Sequence, residues 1–206
     1  MYTTIIFDLD GTLIDSDYHN MSSLQFAVNS LEGTNYTLDE MKKMSGMPAP
    51  AIMQALNIQH VDEVMEEWDA AFFRQSGRSE YFDGIADTLA ELKRRGVYVG
   101  IVTSRERHEY DAFFSHLELY ENYDLVIFAS DTKNHKPHPE PILKFLELSG
   151  KPKAGALYIG DTVYDRDTAL GAGIGFALAG WSLHDVPCEM VLKKPQDILD
   201  IVPNKK

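Results

Sequence analysis

The chain has 206 residues, 44% hydrophobic and 11% aromatic, and its 19 basic and 32 acidic side chains give a formal charge of −13. That much apolar material can build one packed domain, or a core domain with a small insertion, and it excludes disorder throughout. The acidic field excludes non-specific attachment to nucleic acid or anionic lipid, so an anionic ligand has to be met by a local concentration of positive charge.

The first apolar run, TTIIF (3–7), reads as a buried strand. It runs straight into Asp8-Leu9-Asp10-Gly11-Thr12. From Asp15 to Tyr81 the character changes, and no segment there reads as a strand. Met21, Leu24, Val28 and Leu31 recur at helical spacing. Thr37-Leu38-Asp39-Glu40 has the form of a capping box, and Gly46 is placed to end the short helix it opens. Val61, Met65, Trp68 and Phe72 mark a longer helix. Six of the eight methionines fall between Met21 and Met65, which suits a small helical core with irregular gaps. The segment is predicted to be an inserted helical subdomain, placed where it could close over a site.

Beyond it, apolar runs alternate with helical patterns. VYVGIV (97–102), DLVIF (124–128), ALYIG (156–160) and IGFAL (174–178) read as strands. Ile85, Leu89 and Leu92 form a helix that Gly96 stops, and Ile142, Phe145, Leu146 and Ser149 form another before Gly150. A short helix over Asp165 to Gly173 carries small residues for close packing on a sheet. This alternation predicts an α/β fold, a parallel sheet covered by helices on both faces, with ligands beyond the carboxyl ends of its strands. Cys188 is the only cysteine, which excludes an intrachain disulfide or a cysteine-built metal cluster. With no basic-then-apolar leader and no apolar run of membrane-spanning length, the sequence predicts a cytoplasmic protein that binds neither nucleic acid nor membrane.

Four motifs each follow a strand. Asp8 and Asp10 stand two apart, so their carboxylates can reach one pocket, while Gly11 permits a sharp turn. Alone, this stretch would also suit a solvated turn or part of a calcium loop, although the glutamate of such a loop is replaced by His19. Thr103-Ser104 opens a helix with a hydroxyl and a backbone N–H, which serves a phosphate or plain capping equally well. Lys136 begins Lys136-Pro137-His138-Pro139, a stiff platform carrying a compact charge. Asp161 and Asp165, in Gly160-Asp161-Thr162-Val163-Tyr164-Asp165, can meet across one helical turn, and their hard oxygens suit Mg²⁺. His135, His138 and Glu140 match no metal-ligand spacing. Together the four motifs supply what phosphoryl transfer needs.

FDLDGTL, VTS, KPHPEP and GDTVYD, in this order, resemble the four motifs of the haloacid dehalogenase superfamily. The insertion resembles the helical cap of its branch containing phosphoglycolate phosphatases and β-phosphoglucomutases. The resemblance implies a Rossmann-like α/β core over residues 1–14 and 82–206 and a cap over residues 15–81. It implies that Asp8 is the nucleophile and that Asp10 protonates the leaving group and then activates water. Mg²⁺ is then held by Asp8, the Asp10 backbone carbonyl and Asp161. Thr103 and Ser104 bind phosphate oxygens, and Lys136 balances charge between phosphate and Asp8. Asp165 orients Lys136. Such an Asp10 must carry a proton at the outset. His19, Asn20, Gly46 and Met47 are the cap's candidates for substrate contact, and the Gly46-Met47-Pro48 loop carries no basic residue. The implied function is a Mg²⁺-dependent phosphatase, monomer or homodimer, acting on a small phosphorylated metabolite. A β-phosphoglucomutase-like mutase, or a non-catalytic binding module on the same fold, are the competing readings.

Overall fold

The computed structural model describes residues 1–45, 47, 49–74, 80–114, 123–182 and 184–204. They divide into two compact units, one of Met1–Ile14 with Glu80–Lys206 and one of Asp15–Ser79.

The first unit is built on a parallel sheet of β1 (Thr4–Phe7), β2 (Tyr98–Val102), β3 (Leu125–Ile127), β4 (Ala156–Gly160), β5 (Gly175–Ala179) and β6 (Val191–Leu192). The strand order is β3-β2-β1-β4-β5-β6. All five expected strands are present within a residue or so of their predicted ends. The sixth is a two-residue edge, too short to leave a pattern in the sequence. β1 lies centrally, flanked by β2 and β4, and its residues Ile5, Ile6 and Phe7 are wholly buried. Alternate residues serve opposite faces. Ile6, Val102 and Tyr158 pack with Ile142, Phe145 and Ala169 from the helices Glu140–Ser149 and Val163–Ala172. Their neighbours Phe7, Ile101 and Ile159, pointing the other way, are equally buried, so both faces are covered.

The helix Ile85–Arg95 ends at Gly96 and Glu140–Ser149 at Gly150, as their spacing predicts. Val163–Ala172 begins two residues earlier than expected, because the Thr162 hydroxyl accepts from the Asp165 N–H and caps the helix there. Glu80 and Tyr81 fall with the α/β unit, two residues ahead of the boundary suggested by the sequence. The cause is local pairing: Tyr81 makes an antiparallel bridge to Ile14, and the Phe82 N–H donates to the Leu13 carbonyl at 3.0 Å.

The second unit is helical, with helices Asp17–Glu32, Leu38–Lys42, Ala49–Ala55 and Val61–Arg74 among its described residues. Met21, Leu24, Val28, Met41, Met53, Val64 and Trp68 share one core. The capping box at Thr37 and Glu40 is formed in full. Leu31 and Val61 do not join the core, each being 41% exposed, and the buried face of the last helix is Val64, Trp68, Ala71 and Phe72. The helix Ala49–Ala55 left no clear sequence signal, since Pro50 reads as a break, yet proline is tolerated in a first turn. The predicted helix end at Gly46 lies outside the described residues.

Gly100 of β2 has a packing reason. A Cβ there would press into the Phe145 ring and stand 2.8 Å from the Leu125 carbonyl oxygen. Gly100→Ala should therefore destabilise the protein by about 1–3 kcal/mol through overpacking. A urea unfolding midpoint equal to that of the unsubstituted protein would show that the contact is slack.

Candidate active site

The parallel ladder runs one residue past the strand ends. The Asp8 N–H, just beyond β1, donates to the Ile159 carbonyl at 2.8 Å, and the Thr103 N–H, just beyond β2, donates to Ile127 at 3.0 Å. Asp161 follows β4 directly. Because β2, β1 and β4 are neighbours, these three motif residues emerge side by side along the carboxyl edge. Lys136 arrives on the loop after β3. Glu140 braces that loop, its carboxylate accepting from the backbone N–H groups of Lys133 (3.0 Å) and Asn134 (3.1 Å).

The ammonium of Lys136 joins the motifs. It donates to Asp8 Oδ1 at 2.8 Å and to Asp165 Oδ1 at 2.7 Å. The side chains of Lys136 and Asp8 are each 8% exposed and that of Asp165 is fully buried. Asp165 Oδ2 also accepts from the Thr162 N–H (3.0 Å) and hydroxyl (2.6 Å). Asp8, Asp161 and Asp165 each offer a carboxylate oxygen, all within 4.8 Å of one another.

Three buried carboxylates around one lysine do not share its charge equally. Burial and then the neighbouring Asp165 push the Asp8 carboxyl well above the ordinary aspartate value, and Lys136 only partly offsets them. Burial works in the same direction on Asp165, but Lys136 and the Thr162 donors outweigh it and hold that carboxyl low. Burial would lower Lys136, yet Asp165 and Asp8 more than compensate and raise it. Asp8 thus lacks enough positive charge to be comfortably ionised. A cluster of hard oxygen donors short of positive charge fits a hard divalent cation.

Asp161 is fixed from several sides. Its Oδ1 accepts from the Thr12 hydroxyl at 3.3 Å, and its Oδ2 lies 2.6 Å from His184 Nδ1 and 3.3 Å from the Ser182 hydroxyl. Gly11, at φ 74°, brings the motif turn so close that a Cβ would lie 2.8 Å from the Asp161 carboxylate carbon. The Trp181 indole N–H donates to the Thr12 carbonyl at 2.8 Å and holds the same turn.

Asp10 stands apart from the trio. Arg105 Nε donates to its Oδ2 at 2.6 Å and Arg105 Nη2 to its Oδ1 at 2.8 Å. Both oxygens accept, which is how a guanidinium fork meets an ionised carboxylate. Burial opposes the Arg105 charge, but Asp10 outweighs it and the guanidinium pKa is raised. Arg105 thus engages the same carboxylate to which the resemblance gives the proton transfer. The Arg105 N–H in turn donates to the Thr103 hydroxyl at 3.1 Å, and Ser104 is exposed beside it.

The α/β unit thus gathers Asp8, Asp10, Thr103, Ser104, Lys136, Asp161 and Asp165 at one edge. Sequence reasoning missed Arg105, Tyr158 and His184. The Tyr158 hydroxyl, 2.9 Å from the Val102 carbonyl, accepts from Lys136 at 3.3 Å. Arg105 could have been suspected from its place directly after the second motif, whereas His184 follows no motif. In the helical unit His19 stacks edge-on against Tyr18, and Asn20 accepts from the Trp68 indole N–H at 3.0 Å, a packing role. Met47 is 38% exposed. Gly46 and Pro48 lie outside the described residues.

The family of haloacid dehalogenase-like hydrolases matches residues 5–179. The pyrophosphatase PpaX of Bacillus cereus is 30% identical over 210 residues, covering 98% of this chain and 96% of its own. A protein of Caldanaerobacter subterraneus assigned to the same name is 30% identical over 203 residues, covering 95% and 88%. A crystal structure from Lactobacillus plantarum, assigned as a phosphoglycolate phosphatase, is 27% identical with a TM-score of 0.86, covering 98% of this chain and all of its own.

The raised Asp8 has a measurable consequence. Its folded form holds a proton that the unfolded chain gives up, so its contribution to stability is present at low pH and lost as pH rises from the ordinary aspartate value towards the folded one. In excess chelator Asp8→Asn should unfold at a higher temperature than wild type at neutral pH, and the gap should narrow towards pH 4. Equal melting curves across that range would remove the argument for a charge-starved Asp8.

Proposed function

The chain belongs to the haloacid dehalogenase-like hydrolases, and from that premise we propose that it is a Mg²⁺-dependent phosphatase acting on small phosphorylated metabolites through an aspartyl-phosphate on Asp8. One observation carries this reading: the buried Lys136 held between Asp8 and Asp165, with Asp161 alongside. Such an arrangement is costly as ornament, because each buried charge must be compensated.

Lys136 grips Asp8 Oδ1, which orients the carboxylate and counters the repulsion between it and an incoming phosphate dianion. Asp165 and Tyr158 hold Lys136 in place. The Thr103 hydroxyl and the Ser104 N–H receive the phosphate oxygens. An Asp8 oxygen bonds to phosphorus as the bond to the leaving oxygen breaks, and Asp10 supplies that oxygen with a proton. Water then attacks phosphorus, giving a proton back to Asp10 and releasing phosphate and free Asp8. Splitting one displacement in this way replaces a hard step with two easier ones. Mg²⁺ would be held by the Asp8 and Asp161 carboxylates and the Asp10 backbone carbonyl, and when bound it supplies the positive charge that the carboxylate cluster lacks. Residues 15–79 act in this reading as the cap, with His19, Gly46 and Met47 as its candidates for substrate contact. The names carried by the relatives point to pyrophosphate and phosphoglycolate as the first substrates to try.

Asp8→Asn should lower phosphate release at least ~1000-fold, the scale on which loss of a covalent nucleophile acts, while leaving the circular dichroism spectrum unchanged. Excess chelator should stop the wild type, and added Mg²⁺ restore it. Undiminished turnover by a folded Asp8→Asn protein, or in chelator, would falsify the nucleophile or the metal respectively.

A further inference from the structure

We propose that His184 is a positioning residue for the metal site: it fixes the Asp161 carboxylate in the orientation that favours Mg²⁺ over Ca²⁺. The proposal rests on the Mg²⁺ reading above and adds to it a residue that none of the four motifs contains.

The sheet brings the two residues together. β4 and β5 are parallel neighbours, with Gly160 paired to Leu178, so the segment after β5 leaves the carboxyl edge beside Asp161. That segment is pinned at several points. The Gly180 N–H donates to the Leu192 carbonyl at 2.8 Å, and the Ser182 N–H donates to the Ala179 carbonyl at 3.0 Å. Glycine permits the first approach, since a Cβ at 180 would stand 2.7 Å from the Leu192 oxygen. The Trp181 indole N–H donates to the Thr12 carbonyl at 2.8 Å. The His184 N–H donates to the Ser182 hydroxyl at 3.2 Å, which ties its backbone to the same segment.

The imidazole Nδ1 lies 2.6 Å from Asp161 Oδ2. A carboxylate that holds a cation is ionised and only accepts, so the proton of this contact belongs to Nδ1. The hydroxyls of Thr12 and Ser182 also reach Asp161, each at 3.3 Å, the long end of hydrogen bonding, and a hydroxyl rotates to suit its surroundings. The imidazole is rigid and aims its N–H in one direction. The side chain of His184 is 21% exposed and that of Asp161 only 2%, so the bond lies largely out of water, where it is stronger. Outer partners of this kind orient metal-binding side chains and tune their affinity.

The orientation has a consequence for the choice of ion. With Oδ2 gripped by the imidazole, Asp161 is restrained from turning both oxygens towards one cation. That restraint suits Mg²⁺, which demands near-ideal octahedral geometry. It disfavours Ca²⁺, which takes carboxylates bidentately and tolerates irregular coordination. Loss of the His184 donor therefore harms Mg²⁺ binding more than Ca²⁺ binding.

The test follows the melting temperature of metal-free protein as Mg²⁺ or Ca²⁺ is added, without substrate, since an ion that binds the folded state raises it. His184→Leu, which keeps much of the volume and loses the donor, should weaken Mg²⁺ binding by about 10- to 100-fold. Its loss of Ca²⁺ binding should be smaller. His184→Asn, whose amide N–H can stand near the place of Nδ1, should recover most of the Mg²⁺ affinity. His184→Gln carries its amide one carbon too far out and replaces the leucine variant if that one does not fold. Unchanged Mg²⁺ affinity, an equal loss for both ions, or no recovery in a folded His184→Asn protein overturns the role of His184 and leaves the metal reading standing. Absence of any Mg²⁺-dependent rise in wild type overturns the metal reading and this proposal together.

Discussion

A lysine ammonium sits in the interior of the α/β unit with a carboxylate on either side, and the rest of the site is arranged around that contact. Asp8 and Lys136 are 128 residues apart in sequence, and the pair forms only if β1, the loop after β3 and the start of the helix after β4 arrive together. The sheet order brings this about by placing β1 between β2 and β4. Removing the lysine would leave buried carboxylates without compensation, a disruption of about 3–5 kcal/mol. Fold and chemistry are thus not separable here. The same charge that would orient a nucleophile also holds three chain segments in register.

The balance around that lysine is uneven, and the unevenness is informative. Asp165 is saturated with donors, from Lys136 and from the capping Thr162, and behaves as a fixed anion. Asp8 receives one donor and faces two other carboxylates. A structural ion pair would be expected to satisfy both acids alike. One acid satisfied and one left short of positive charge is the pattern of a site that waits for a further cation.

Much of the fold was legible because buried parallel strands are short apolar runs and glycines close the helices between them. TTIIF, VYVGIV and ALYIG needed no tertiary knowledge. The positions of Asp8, Thr103 and Asp161 were legible for the same reason, each standing one step beyond such a run. What escaped lies where local pattern carries no directional information. Nothing in the sequence around Arg105 says that its side chain turns back to Asp10, and nothing after β5 says that Trp181 returns to the motif turn and His184 to Asp161. The apolar face of the helix Val61–Arg74 was legible in part: Met65, Trp68 and Phe72 pack inward as their spacing suggests, Val61 is exposed instead, and Val64 and Ala71, which fit the helical period as well, are buried. Periodicity says that a face exists, and only packing decides which residues it contains.

The bridge between Ile14 and Tyr81 has a further consequence. The chain leaves the α/β unit and re-enters it at two residues that lie across a single β-bridge, about 5 Å apart as such partners are. The whole unit Asp15–Ser79 is thereby threaded through a gap no wider than a hairpin turn. The sheet, its register and the Asp8–Lys136 contact are closed on the near side of that gap. In topological terms this junction works as a socket: the inserted unit starts and ends at one point of the α/β unit, so a change of length within it leaves the register of the sheet untouched.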